Sequence, residues 1–401
     1  MEYGQIALSY RLADQLYGGV IVKLRNVVLY VLCICMTASG LVCFAEEDTM
    51  GLSCPSALLM EQSTGRVLYE KDADSPRPMA SVTKIMTMLL AMEAIEQGKM
   101  TYDDMITGSA YAKSMGGSTI FLDEGEQLSV RDILKGIAVS SGNDAAVAMG
   151  EHIAGSAENF VAMMNNRARE LGMNNTNFVN CNGLDADGHY SSARDIAIMS
   201  RELMKHQDIF EYTSIWMDSL RNGAFTLSNT NKLIRFYEGA TGLKTGSTDK
   251  AKFCISATAK RGDMHLIAVI MASPTSKERS ADASKLLNYG FANYGVLSCA
   301  EKGEVCDSIY IPKSGKDKVD IVCGEDVGYL YEKAKVPQTE RVINIRSDIT
   351  APIMAGETVG NMVVKNGDEI VAEVPLIVAE DIPKLGPVGT FVRLVGLWSR
   401  L

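Results

Sequence analysis

Ser81 and Lys84 stand three positions apart in the run Pro78-Met79-Ala80-Ser81-Val82-Thr83-Lys84. A serine hydroxyl is a poor nucleophile at neutral pH and needs a base beside it. On a helix, positions i and i+3 share a face, so a lysine at that spacing reaches the serine oxygen. Lysine acts as a base only when burial or a neighbouring cation depresses its pKa. Ile85, Met86, Met88, Leu89, Leu90, Met92 and Ile95 make the segment to Gln97 apolar on every side, which predicts a buried helix. Ser81 opens that helix, where free N–H groups and the helix dipole favour developing negative charge. Its own N–H is then one oxyanion donor. Taken alone, Ser81 reads better as a plain helix cap.

Two later motifs change the balance. Ser141-Gly142-Asn143 falls between two predicted helices, where a glycine lets both flanking side chains point into a cleft; the plainer reading makes Asn143 an N-cap. Lys244-Thr245-Gly246 falls on a predicted strand. There Lys244 supplies a second cation, and Gly246 lets a substrate backbone approach; the plainer reading is a solvated strand lysine. Spelling alone is cheap: roughly one or two S-x-x-K strings arise by chance in a chain this long, and K-T-G in about one such chain in ten. Ser247-Thr248-Asp249-Lys250 is a second S-x-x-K, in a predicted turn where its ends need not share a face. The ordered set, each member on a fitting element, is far rarer than any member.

The elements around these motifs are periodic. Residues 57–61 and 66–70 read as a hairpin closed by Gln62-Ser63-Thr64-Gly65. Helices are predicted near 130–139, 143–154, 157–171, 192–205 and 277–293, and strands at 241–247, 252–260 and 264–273. Strands first, helices in the middle and strands again predict an α+β domain at 50–295, with helices packed on an antiparallel sheet. Short β-rich segments broken by Gly, Asn and Asp predict a small all-β domain at 298–384.

The ends speak to location. Lys23 and Arg25 precede the apolar run Val27–Val42, which closes on Cys43-Phe44-Ala45 before Glu46-Glu47-Asp48. That pattern predicts an export leader at 1–45; residues 1–22 are unusual ahead of one and fit a start nearer Val20 or Val22. In the tail, 386–401, Phe391, Leu394, Val395, Trp398 and Leu401 share one helical face and Arg393 and Arg400 the other, which suits a membrane surface. A net charge of −10 in 401 residues argues against a nucleic-acid partner. The six cysteines beyond the leader (Cys54, Cys181, Cys254, Cys299, Cys306 and Cys323) show no metal-ligand spacing, and no cofactor is expected.

Roughly residues 55–295 resemble the low-molecular-mass penicillin-binding proteins, the serine-type D-Ala-D-Ala carboxypeptidases. The matching stretches are 78–84, Ser141-Gly142-Asn143-Asp144-Ala145-Ala146, Asn182-Gly183-Leu184-Asp185 and Thr241-Gly242-Leu243-Lys244-Thr245-Gly246. The resemblance implies a β-lactamase/transpeptidase-like fold, an acyl-enzyme on Ser81, and peptidoglycan pentapeptide stems and β-lactams as partners. It implies Lys84 as general base and Ser141 with Lys244 as the proton path to the leaving amine. Asn143 would hold the peptide amide and Thr245 the terminal carboxylate, while the N–H groups of Ser81 and Ser247 would form the oxyanion hole. The protein would work at the outer face of the cytoplasmic membrane or in the cell wall.

Three rivals remain. A class A β-lactamase shares the motifs and needs a deacylating glutamate; Glu170-Leu171-Gly172-Met173-Asn174 has the spelling, yet it closes a predicted helix. A zinc peptidase would need a ligand set that His189 and Asp195 do not complete. A non-catalytic penicillin-sensing or wall-binding protein would have lost a member of the site, and none is missing.

Overall fold

The computed structural model describes residues 50–316, 318–389 and 391. The expected leader at 1–45 and, in the tail at 386–401, residue 390 and residues 392–401 lie outside the described residues. Among the described residues no helix is long and apolar enough to cross a membrane.

Five strands form one antiparallel sheet: β1 (Ser56–Glu61), β2 (Val67–Lys71), β3 (Ala240–Thr248), β4 (Lys252–Arg261) and β5 (Met264–Ser273). Their order is β2-β1-β5-β4-β3, which leaves β3 at an edge. The two ends of the domain's sequence therefore meet at the centre, where Leu58 of β1 faces Val269 of β5. β1 is buried throughout, because both faces of the sheet are covered. Leu58 and Met60 join the core that contains helix α1 (Lys84–Glu96). Leu59 points the other way, to Gly290 of helix α6 (Ser276–Asn293).

Between the sheet's halves α1 is followed by four further long helices, α2 (Val130–Ala138), α3 (Asn143–Ala154), α4 (Ala157–Glu170) and α5 (Ala193–Leu203), besides single-turn ones. Ser129, Ser156 and Ser192 cap α2, α4 and α5 by accepting from backbone N–H groups of the first turn. Helix α3 has no such cap: Gly142 precedes it, and Asn143 is its first residue rather than the N-cap the plainer reading gave it. Helix α1 is buried at every residue from Lys84 to Met92, as its all-round apolar sequence requires. Each buried Leu, Ile or Met side chain there contributes about 1.5–3 kcal/mol, which offsets the cost of burying Lys84 among them.

From α6 the chain passes directly into β6 (Tyr294–Ala300), across the gap expected near 296, and then through β7 (Val305–Ile309), β8 (Val319–Cys323), β9 (Val327–Glu332), β10 (Thr339–Ile345), β11 (Thr358–Asn366) and β12 (Glu369–Val378). β6 pairs with β9, and the others form a second sheet, β7-β8-β12-β11-β10. That sheet has its own apolar core, including Ile321, Met362, Val374 and Leu376. Lys333 ties this region to α6 by donating from Nζ to the Phe291 carbonyl at 2.6 Å.

Candidate active site

Residues Ala80–Thr83 form a single 3-10 turn, and the α-helix proper begins at Lys84, three residues later than the sequence pattern placed it. In a 3-10 turn residues i and i+3 eclipse, so the tighter turn aligns Ser81 with Lys84. The Lys84 Nζ lies 2.9 Å from Ser81 Oγ. It also donates to Asn143 Oδ1 at 2.6 Å and to the Asn182 carbonyl at 2.5 Å. Asn143 Nδ2 donates to the Gly116 carbonyl at 2.7 Å, which fixes the direction of its amide.

These contacts decide where the lysine's lone pair points. Burial pushes Lys84 down from 10.5 to about 7, against weaker upward pulls from Cys181 and Asp144. A neutral amine has two N–H groups and one lone pair. Both carbonyl oxygens can only accept, so the two N–H groups go to Asn143 and Asn182. The lone pair faces the Ser81 hydroxyl. Ser81 itself is only partly buried, so a substrate can reach it.

Lys244 and Gly246 come from edge strand β3. A Cβ on Gly246 would lie 2.8 Å from Ser81 N and 2.8 Å from the Met79 carbonyl. Here the glycine admits the nucleophile's own turn, whereas the sequence reading gave it a substrate backbone. Lys244 is buried, and its Nζ donates to the Thr245 carbonyl at 2.9 Å. Burial holds its pKa well below the usual lysine value, helped by the charges of Lys84 and Arg279. Thr245 Oγ1 is 2.7 Å from Thr230 Oγ1, and Ser247 is exposed at the strand's outer end. Ser141 sits between α2 and α3 at φ +64, nearly buried. Its hydroxyl has no hydrogen-bond partner among the described residues.

Several contributors were given no role by the sequence reading, although Asp144, Asn182 and Gly183 lie in its matching stretches. The Asn182 carbonyl is a main-chain atom with no spelling of its own. Gly183, at φ +91, is held so close that a Cβ would lie 2.1 Å from the Ala80 carbonyl oxygen. Asp144 accepts from the N–H groups of Ile120 and Leu122 at 3.0 and 2.9 Å, pinning the loop that carries Gly116. Arg279, on α6, is buried, and its Nε has no partner among the described residues.

The rivals' residues are engaged elsewhere. Glu170 ends α4 with its side chain 63% exposed and paired to Arg167 at 3.2 Å. Lys250 of the second S-x-x-K pairs with Asp187 at 3.4 Å. His189 bonds Thr83 and Val179, while Asp195 bonds Asn175 and Thr176.

A serine at a helix start, a buried lysine 2.9 Å from its hydroxyl, and an antiparallel sheet whose edge strand flanks both define a serine acyl-transfer enzyme of the penicillin-binding fold. Residues 44–275 match the D-alanyl-D-alanine carboxypeptidase family, and residues 296–384 match the C-terminal domain of penicillin-binding protein 5. The chain is 42% identical to a D-alanyl-D-alanine carboxypeptidase of Bacillus subtilis over 89% of its own length and 94% of the relative's. Penicillin-binding protein 5 of Haemophilus influenzae is similar in structure, at TM-score 0.66 and 31% identity, covering 83% of this chain and 98% of that one. Penicillin-binding protein D2 of Listeria monocytogenes, solved with cefotaxime bound, is similar at TM-score 0.56 and 34% identity, covering 60% of this chain and 98% of its own. The protein belongs to the D-alanyl-D-alanine carboxypeptidases, a family of serine hydrolases.

Proposed function

We propose that this protein removes the terminal D-alanine from peptidoglycan pentapeptide stems through an ester on Ser81. Lys84 takes the Ser81 proton as Oγ attacks the carbonyl carbon of the penultimate D-alanine. The N–H groups of Ser81 and Ser247 hold the oxyanion. Collapse breaks the C–N bond, and a proton returns to the leaving amine by way of Ser141 and Lys244. Water then hydrolyses the ester.

Asn143 has two duties in this reading, holding Lys84 and facing the peptide amide. Thr245 takes the substrate's carboxylate. Lys244 and Arg279 support that role: they are two buried basic groups with no carboxylate partner among the described residues, and an arriving carboxylate would favour their charged forms. A β-lactam follows the same first step, except that its leaving amine stays tethered. The leader and the cationic tail support work outside the cytoplasm, with the tail against the membrane. The small β domain at 298–384 would stand between the two.

The observation that carries this reading is Lys84 Nζ held 2.9 Å from Ser81 Oγ, with its other two contacts both carbonyl oxygens. The test is mass spectrometry of a UDP-muramyl-pentapeptide incubated with wild type and with Ser81→Ala. Loss of one alanine is expected with wild type alone. An unchanged pentapeptide, or loss with the mutant as well, overturns the reading. Fluorescent penicillin labelling Ser81 without D-alanine release would point to a sensor, and rapid penicillin turnover to a β-lactamase.

A further inference from the structure

Behind the nucleophile's turn lies a second set of polar contacts that takes no part in the steps above. His189 is 5% exposed, in the segment between α4 and α5. Its Nδ1 is 3.0 Å from Val179 N, and its Nε2 is 2.8 Å from Thr83 Oγ1. Thr83 Oγ1 lies 2.8 Å from the Ala80 carbonyl oxygen.

The direction of every hydrogen bond in this chain is fixed by its two ends. The Val179 main-chain N–H can only donate, so His189 Nδ1 is the acceptor and carries no proton. The neutral ring's proton is then on Nε2, which donates to Thr83 Oγ1. The Ala80 carbonyl can only accept, so the Thr83 hydroxyl donates to it. Burial pushes the His189 imidazole down to about 4, against a weaker opposing pull from Asp185, which keeps the ring neutral. Three bonds thus run one way, from Val179 N–H through imidazole and hydroxyl to one carbonyl.

That carbonyl belongs to the Ala80–Ser81 peptide, whose N–H is the oxyanion donor in the mechanism above. Ala80 is held at φ +50, a conformation that alanine rarely adopts. Gly183 also closes on that peptide, where a Cβ would lie 2.1 Å from the carbonyl oxygen. Hydrogen bonds in series polarise one another, so a donor on the peptide oxygen strengthens the peptide N–H as a donor and fixes its aim.

We propose that His189, acting through Thr83, is a positioning residue that orients and polarises the Ala80–Ser81 peptide as the oxyanion donor. The proposal rests on the acyl-enzyme reading and sharpens it. His189 touches neither substrate nor Ser81 Oγ. Its effect falls on the acylation rate rather than on binding, because the oxyanion forms only in the transition state.

The test is stopped-flow acylation by a fluorescent penicillin, giving a limiting rate and a half-saturation concentration. His189→Ala is expected to lower the limiting rate about tenfold, less than the 10²–10³ lost when a donor is removed outright, and to leave half-saturation within about twofold. His189→Gln, which can accept with its carbonyl and donate with its amide, is expected to recover most of the rate. Thr83→Val keeps the side chain's size and is expected to match His189→Ala, and the double variant to fall no further than either. In ¹⁵N-labelled wild type, the imidazole signals should show protonated Nε2 and bare Nδ1. An unchanged limiting rate in a folded His189→Ala, a His189→Gln no better than alanine, or an Nδ1-protonated ring overturns the proposal. Failure of wild type to label at Ser81 overturns the acyl-enzyme reading itself, and the ring tautomer is read independently of that outcome.

Discussion

Lys84 is buried with carbonyl partners instead of a carboxylate, and this sets its chemistry. An ion pair would keep it protonated, whereas neutral acceptors order it without holding its charge. With its pKa down to about 7, Lys84 in the proposed role of base would be protonated and inactive in acid and free above neutrality. kcat/KM should therefore rise with pH and level off above about pH 7, falling close to tenfold per unit on the acid side. Lys84→Arg should show no such limb and almost no activity, since a guanidinium stays charged. A pH series of D-alanine release checks both, and a flat wild-type profile between pH 5 and 8 would contradict the assignment. The same shift acts on folding. The unfolded chain holds a proton on this lysine up to about 10.5 and the folded chain only to about 7. Stability therefore gains from Lys84 as pH rises between those values, and the penalty is full below them.

At the scale of elements, the turn at Ala80–Thr83 is gripped by pieces far apart in sequence. Lys84 reaches Asn182 across 98 positions and Thr83 reaches His189 across 106. The helix that follows the Ser81 turn and begins at Lys84 was legible because its run is apolar on every side. The strand carrying Lys244 was legible because short apolar bursts between turn residues do too. The loop at 180–184 was legible only as part of the matching stretch 182–185, with no role attached to it. Its contributions are a main-chain carbonyl and a missing side chain, and neither has a periodic signature. The left-handed Ser141 and the 3-10 turn escaped for a related reason: tertiary contacts impose them, not local preference. Gly183→Ala tests the grip. Its Cβ would collide with the Ala80 carbonyl oxygen, so we expect a loss of about 1–3 kcal/mol in stability and a collapse of acylation. Gly98→Ala also has positive φ but open space around it, and should lose about 1 kcal/mol with acylation intact. Thermal melts and penicillin labelling of the pair separate the crowding of that carbonyl from backbone strain alone.

At the scale of the molecule, every residue assigned a part in the chemistry lies between Ala80 and Arg279. The second sheet has its own core and meets the first region through β6, β9 and the Lys333 contact on α6. A chain ending at residue 295 should therefore keep kcat/KM within about threefold while melting a few degrees lower, as expected where a modest interface joins separable cores. A loss of tenfold or more in steady-state D-alanine release would show that the second sheet shapes the cleft.

The edge position of β3 has a further consequence. A strand with a neighbour on one side presents unpaired donors and acceptors, and such edges ordinarily invite other chains to add on. The usual protections, a proline or a covering loop, would also shut out a guest peptide. Asn231 covers the Gly242 carbonyl at 3.0 Å, which shortens the open stretch without closing it. The cleft along this edge is thus the protein's sticky side, and an occupant is also its solubiliser: light scattering of concentrated enzyme should fall when a slowly hydrolysed β-lactam fills the site.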